Sequence, residues 1–340
     1  MGVVNEDPDY FAYAENGYSP SSVIKDVGRS VSEVVQCLQE MGNFTYSGQL
    51  TISLPILPEA AEIVATEAYL EFPTFEDLGG LDNEIALLRE VALDIKTPEL
   101  LAEYGIKRAS GVLLQGPAGV GKTELVRALA REMQAVFNIV QISDIIDMYV
   151  GKPVEKLRQE FEDTRVFEGP YIMFFDEFDG LFSHNAGGNS GVTRALVAEF
   201  KNILSTVLKE YPNVLVVAAA NSIDGFDPAL LRAGRFDTII KIPVPNEAGR
   251  TEIFAKVLYA QSKHFDIMSL DSADDGTVNT KELAALSEGF TGADIKYIVN
   301  DLLRKRMRIE QRTGVRPDRI TQNELAAAVK AHRLSRQSDV

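Results

Sequence analysis

The chain has 340 residues, 45% hydrophobic and 25% charged, a soluble globular composition with room for a large core and about two to three structural units. A formal net charge of −16 weighs against general affinity for phosphate backbones or anionic membranes, though not against a local basic groove. Cys37 is the only cysteine, which excludes a disulfide framework and a cysteine zinc cluster, and His184, His264 and His332 lie too far apart in sequence to support a histidine metal site.

The N-terminus lacks the basic start and apolar stretch of a signal peptide. Glu6 stands where a myristoylation signal needs Ser or Thr. No run of about 18 apolar residues exists, so no membrane span is expected, and the expected location is cytoplasmic. Residues 1 to 20 are polar. Ser19 and Pro20 read as a helix start, followed by Ile24, Val27, Val31, Val34, Leu38 and Met41 at helical spacing. "GNFTYSGQLTISLPIL" reads as a turn and an extended segment, and "PEAAEIVATEAYLEF" as a helix. Residues 1–70 are thus expected to form a small unit of mixed structure, its valine stripe serving as a core face.

From Phe75 the texture changes. "GVLLQG", "FNIVQI", "YIMFFDEFD" and "VLVVAAAN" read as strands. "TELVRALAREMQ", "PVEKLRQEFEDTRVF" and "TRALVAEFKNILSTVLKEY" read as the helices between them. Alternating strands and helices with almost wholly apolar strands predict a buried parallel sheet with helices on both faces. After "IIKIPVPN" the pattern is almost entirely helical. The expected fold class is an α/β P-loop NTPase sheet followed by a small α-helical lid. The expected division is 1–70 for recognition of a substrate or partner, 71–245 for the nucleotide-binding part and 246–340 for the lid.

"GPAGVGKT" supplies Gly116, Pro117, Ala118, Gly119, Val120, Gly121, Lys122 and Thr123, a G-x-x-x-x-G-K-[ST] loop between a predicted strand and a predicted helix. Small residues let backbone N–H groups close around phosphates, and the following helix adds its positive end. Lys122 can reach the β- and γ-phosphates of ATP, and the Thr123 hydroxyl can hold Mg²⁺. Glu124 follows in the first helical turn. Asp176, at the end of an apolar strand, is the second expected Mg²⁺ residue, and Glu177 beside it can deprotonate the attacking water. Alone, the two acids would read as a solvated strand end. In "DIIDMYVGKPVEK", Tyr149 and Val150 precede Gly151 in a turn among charged residues, and taken alone the pair reads as a buried plug beneath the loop, because short apolar pairs usually belong to the core.

"NVLVVAAANSIDGFDPALLRAGRFDTIIKIPVPNEAGR" resembles the second region of homology of the AAA family of ATPases, "FEDLGGLDNEIALLRE" its opening motif and "GFTGADIKYIVNDLL" its lid helix. The resemblance runs from about Thr74 to Ala331. It implies that Asn221 positions the attacking water, and that Arg232 and Arg235 act as arginine fingers in a neighbouring subunit's site. Fingers in trans imply a closed homo-oligomeric ring, typically a hexamer in this family. Asp77, Leu78, Gly79 and Gly80, with Gly292 and Ala293, would border the adenine and ribose, and Tyr149, Val150 and Gly151 would form a pore loop that grips a protein substrate. No nucleic-acid partner is expected. The implied function is an ATP-driven ring motor that remodels proteins. The alternative is a nucleotide-gated assembly or adaptor ATPase that switches shape without threading. Departures from the family pattern are Ala118 and Val120 in the phosphate loop, "KPVE" after Gly151, a glycine-rich "SHNAGGNSGVTRAL", Ser222 after Asn221 and an apparent insertion, "SLDSADDGTVN".

Overall fold

A computed structural model describes residues 71–146, 152–167, 169–183, 190–262, 278–315, 317 and 319–338. The unit expected at 1–70 and the insertion in the lid lie outside these, apart from Val278 and Asn279 at the insertion's end. A short 3-10 turn, Phe75–Asp77, leads into helices α1 (Asp82–Lys96) and α2 (Pro98–Glu103). The alternating part follows as β1 (Gly111–Gln115), α3 (Lys122–Met133), β2 (Val136–Gln141), α4 (Ile142–Ile146), α5 (Pro153–Glu162), β3 (Tyr171–Asp176), α6 (Gly180–Ser183), α7 (Ser190–Glu210), β4 (Val214–Ala220) and β5 (Phe236–Lys241). Four helices end the described chain: α8 (Glu247–Ser262), α9 (Thr280–Leu286), α10 (Gly292–Thr313) and α11 (Gln322–Ser338).

The five strands form one parallel sheet in the order β2-β3-β4-β1-β5. The three inner strands β1, β3 and β4 are apolar at nearly every position because successive side chains enter different cores. Met173 and Phe175 of β3 pack with Leu157, Phe161 and Phe200 on one face. Ile172 and Phe174 pack with Leu88, Leu125 and Leu129 on the other. β4 divides in the same way, Val216 and Ala218 against Val217 and Ala219. A third core, including Phe254, Leu283, Ile298 and Leu325, joins the last four helices. Burying both faces of a strand removes the polar alternation of a one-sided sheet.

α1 and α2 precede the first strand identified from sequence. The stripe Ile85, Leu88, Val91 and Ala92 carries α1 into the second core. Its other positions are mostly polar or exposed, so the helix reads weakly beside the strands. The expected helix at 153–167 ends earlier, at Glu162, and continues as a 3-10 turn to Val166.

Candidate nucleotide site

β1, β3 and β4 deliver the predicted chemistry to one end of the sheet. The Gly116 N–H donates to the Ala220 carbonyl at 3.1 Å, which sets the start of the phosphate loop beside the end of β4. A Cβ on Gly116 would lie 2.2 Å from the Ile242 carbonyl oxygen, so this crossing admits only glycine. Gly119 and Gly121 have φ of +80° and +100°, left-handed values that glycine adopts without a Cβ clash. Gly121 caps α3, whose free N–H groups face the loop.

Lys122 is the first residue of α3 and only 9% exposed. Its Nζ donates to the carbonyls of Gly116 at 2.6 Å and Pro117 at 3.0 Å, and to Asn221 Oδ1 at 3.0 Å. Burial pulls the ammonium below the usual lysine range, against the opposing fields of Asp176 and Asp179. The charge is therefore satisfied by neutral oxygens and under-compensated, which suits it to an incoming anion. Thr123 Oγ1 donates to Asp176 Oδ2 at 3.0 Å, placing a hydroxyl and a carboxylate where one cation can meet both. Among the described residues no group of three or more His, Cys, Asp or Glu side chains could hold a metal ion. A cation held here would take its other oxygens from phosphate or water, which is how magnesium usually binds.

Glu177 is exposed and has φ of +51°, rare for a residue with a side chain. Its N–H donates to Asp176 Oδ1 at 2.9 Å, and Phe178 returns at once to the sheet through a 2.8 Å bond to the Ala219 carbonyl. Phe178 is fully buried among Phe175, Phe200, Phe226 and Phe236. That anchor turns the chain sharply after Asp176 and holds Glu177 outward at the strand end.

The opening segment is bound to α8 through main-chain groups. The Gly80 N–H donates to Glu252 at 2.8 Å, and Lys256 donates to the Leu78 carbonyl. A Cβ on Gly79 would meet the Ile253 nitrogen at 2.8 Å, and one on Gly80 the Gly249 Cα at 2.7 Å. The Asp77 carboxylate accepts from the Thr74 N–H at 2.7 Å and hydroxyl at 2.8 Å, so it caps its own turn. Glu124 pairs with Arg127 on the same helix at 3.0 Å. From the lid, the Ala293 N–H donates to the Gly119 carbonyl at 3.0 Å, and Gly292 opens α10 beside it. Ala118 and Pro117 stand exposed at the loop's tip, while Val120 turns into the core.

Lys122 meets Asn221 and Thr123 meets Asp176 through direct hydrogen bonds, and the phosphate loop meets Ala293. Arg232 and Arg235 do not join them. Phe236 pairs with Gly111, so Arg235 sits at the start of β1, the opposite end from Gly116. Its Nη1 donates to the Ala229 carbonyl at 2.5 Å, while Arg232 is exposed. Tyr149, Val150 and Gly151 lie outside the described residues. Beyond them, Lys152 stands at the N-cap of α5 and pairs with Glu155 at 2.8 Å, so the reversed charge of this departure meets an acid in the first turn of the helix that follows. Ser222 forms a local turn, donating to Asp224 Oδ2 at 2.7 Å. The sequence reading missed Thr291 and Asp294, although T-x-x-D before an apolar stripe is a capping signature.

Residues 112–244 match the family described as "ATPase family associated with various cellular activities (AAA)". A proteasome-activating nucleotidase of Saccharolobus solfataricus is 35% identical over 289 residues, covering 83% of this chain and 69% of the relative. The chain belongs to the AAA family of ATPases. A proteasome-activating nucleotidase of Saccharolobus islandicus is 38% identical over 251 residues, 72% of this chain and 61% of that protein. The chain thus spans about three fifths of that relative. Protein CdcH of Halobacterium salinarum is 38% identical over 236 residues, 69% of this chain and 30% of its own length. AAA membership agrees with the parallel sheet, the phosphate loop and the helical end of the chain. Among the described residues no helix is long and apolar enough to cross a membrane.

Proposed function

We propose that this AAA protein hydrolyses ATP with Mg²⁺ and uses the energy to unfold or disassemble protein substrates. The observation that carries this reading is the cluster of Lys122, Thr123, Asp176 and Asn221 at the strand ends, with Glu177 held beside it. Bound magnesium would supply charge neutralisation for the transferring phosphoryl group, held by Thr123 and Asp176. Lys122 binds the phosphates, Asn221 orients the water through the same hydrogen-bond set, and Glu177 accepts the water's proton at its carboxylate.

The position of Arg235 across the sheet from Gly116 favours a role in a neighbour's site, and Arg232 is exposed on the same loop. On this reading the active form is a homo-oligomeric ring, most simply a hexamer, working in the cytoplasm. Residues 71–245 act as the nucleotide-binding part, residues 246–340 as the lid, and residues 1–70 select the client. The names of the proteasome-activating relatives favour a client destined for degradation. Tyr149, Val150 and Gly151 grip the polypeptide in the pore through ring-face contacts.

The test is ATPase turnover measured together with unfolding of a tagged fluorescent protein, for the native chain and Tyr149→Ala. Gripping predicts retained turnover and melting temperature with lost unfolding. A buried plug predicts a destabilisation of about 3–5 kcal/mol with parallel loss of both. Turnover without unfolding in the native chain would favour the shape-switching alternative.

A further inference from the structure

The last helix is tied to the phosphate loop through one carboxylate that the nucleotide reading does not use. Asp294 lies at the third position of α10. Its Oδ2 accepts from the Thr291 N–H at 2.8 Å and hydroxyl at 2.9 Å, closing a capping box. From the other side, α11 supplies Arg336 Nη1 at 2.9 Å from Oδ2 and His332 Nε2 at 3.3 Å from Oδ1. The Asp294 side chain is only 18% exposed. The His332 ring stands edge-on to Phe290 at 5.2 Å, so the residues before the cap rest on the same helix.

The capped turn is the one that touches the phosphate loop. Ala293 bonds to Gly119, and the missing Cβ of Gly119 leaves room for Thr291 Oγ1, which would lie 2.8 Å from it. Burial acts to raise the Asp294 pKa, but the Thr291 N–H and hydroxyl, His332 and Arg336 outweigh it and hold the carboxyl below the usual range. The group is thus kept charged between its two sets of donors. Fixing it fixes where the first turn of α10 sits, and with it the tip of the loop.

We propose that Asp294, clamped by Arg336 and His332, is a positioning residue that makes nucleotide affinity depend on the docking of the last helix. A force or partner acting on α11 then changes ATP affinity without touching the nucleotide. This rests on the reading of Gly116–Thr123 as the nucleotide site.

The test uses the full chain. Affinity for a fluorescent ATP analogue, KM and kcat for ATP, and melting are measured for Arg336→Ala, Arg336→Lys, Asp294→Asn and, as a control on the same helix, Arg333→Ala. Arg333 reaches Leu286 and Glu288 instead. Losing one charge-assisted bond predicts about five- to tenfold weaker binding and a matching rise in KM for Arg336→Ala, with kcat within about twofold. Arg336→Lys recovers most of the loss, Asp294→Asn weakens binding at least as much as Arg336→Ala, and Arg333→Ala binds as the native chain does. Unchanged affinity in both Arg336→Ala and Asp294→Asn overturns the inference, as does an equal loss in Arg333→Ala. If the native chain fails to bind the analogue, the nucleotide reading falls and takes this inference with it.

Discussion

Gly119→Ala separates backbone strain from contact with the lid. The residue has φ of +80°, and an added methyl would stand 2.8 Å from Thr291 Oγ1 and 2.9 Å from Ala293 Cβ. Neither neighbour yields easily, since Thr291 is held by Asp294 and Ala293 has no torsion to turn. Gly105→Ala is the reference, with φ of +66° and nothing within 4 Å of its Cβ. Both variants place alanine in the left-handed region, at about 1–2 kcal/mol. Only Gly119→Ala also displaces α10 and weakens the Ala293 bond to the Gly119 carbonyl, a further ~1–2 kcal/mol. If that excess falls on the nucleotide-competent arrangement, affinity for ATP drops roughly 5- to 30-fold. Titration with a fluorescent ATP analogue, beside thermal melting, reads both parts. Gly105→Ala should lower the melting temperature and leave affinity alone. Native affinity in Gly119→Ala would refute the lid's contact with the loop as a determinant of binding.

Arg232→Ala and Arg235→Ala should each bind ATP and hydrolyse it poorly, and mixing either with Glu177→Gln should restore part of the turnover. No rescue at any ratio, with mixed assemblies confirmed by mass, would count against fingers in trans. Arg158 bonds Glu199 through two contacts, 2.6 Å and 2.9 Å, and holds that buried carboxyl below its usual pKa. Its contribution is present above the unfolded-state carboxylate pKa and fades as pH falls through the lowered folded value. Arg158→Ala should therefore lower stability near neutral pH, with a smaller difference at strongly acid pH, as read by denaturant melts. Deleting residues 1–70 should leave a folded ATPase with altered client choice, and aggregation of the truncated chain on size exclusion would assign that region to the assembly itself.

Strands β1, β3 and β4 were legible because burial on both faces writes itself as unbroken apolar runs. The phosphate loop was legible because its glycines answer backbone needs that no other residue meets, as the approach of Gly116 to Ile242 illustrates. Asp176 could be placed from its position after four apolar residues, and its bond to Thr123 joins the two expected magnesium residues. Other features depend on contacts between distant segments. The tie of Gly80 to Glu252 spans 172 positions, and no local pattern announces it. Asp77 reads as a site residue by family resemblance, yet its carboxylate closes a turn with Thr74. The clamp on Asp294 needs two side chains from a helix about 40 residues away. Its capping half was open to a sequence reading, and its clamping half was not.

In the proposed mechanism Glu177 activates water at a site whose phosphate contacts belong to other residues. The direct measurement compares Mg²⁺-ATP affinity and single-turnover hydrolysis in the native chain, Glu177→Gln and Lys122→Ala. Glu177→Gln keeps the outward-turned strand end and removes only the base, so it should bind ATP within about twofold of native affinity and lose about 10²–10⁴-fold in rate. Lys122→Ala should lose binding itself. Near-native hydrolysis by Glu177→Gln would contradict the account, as would undiminished ATP binding by Lys122→Ala.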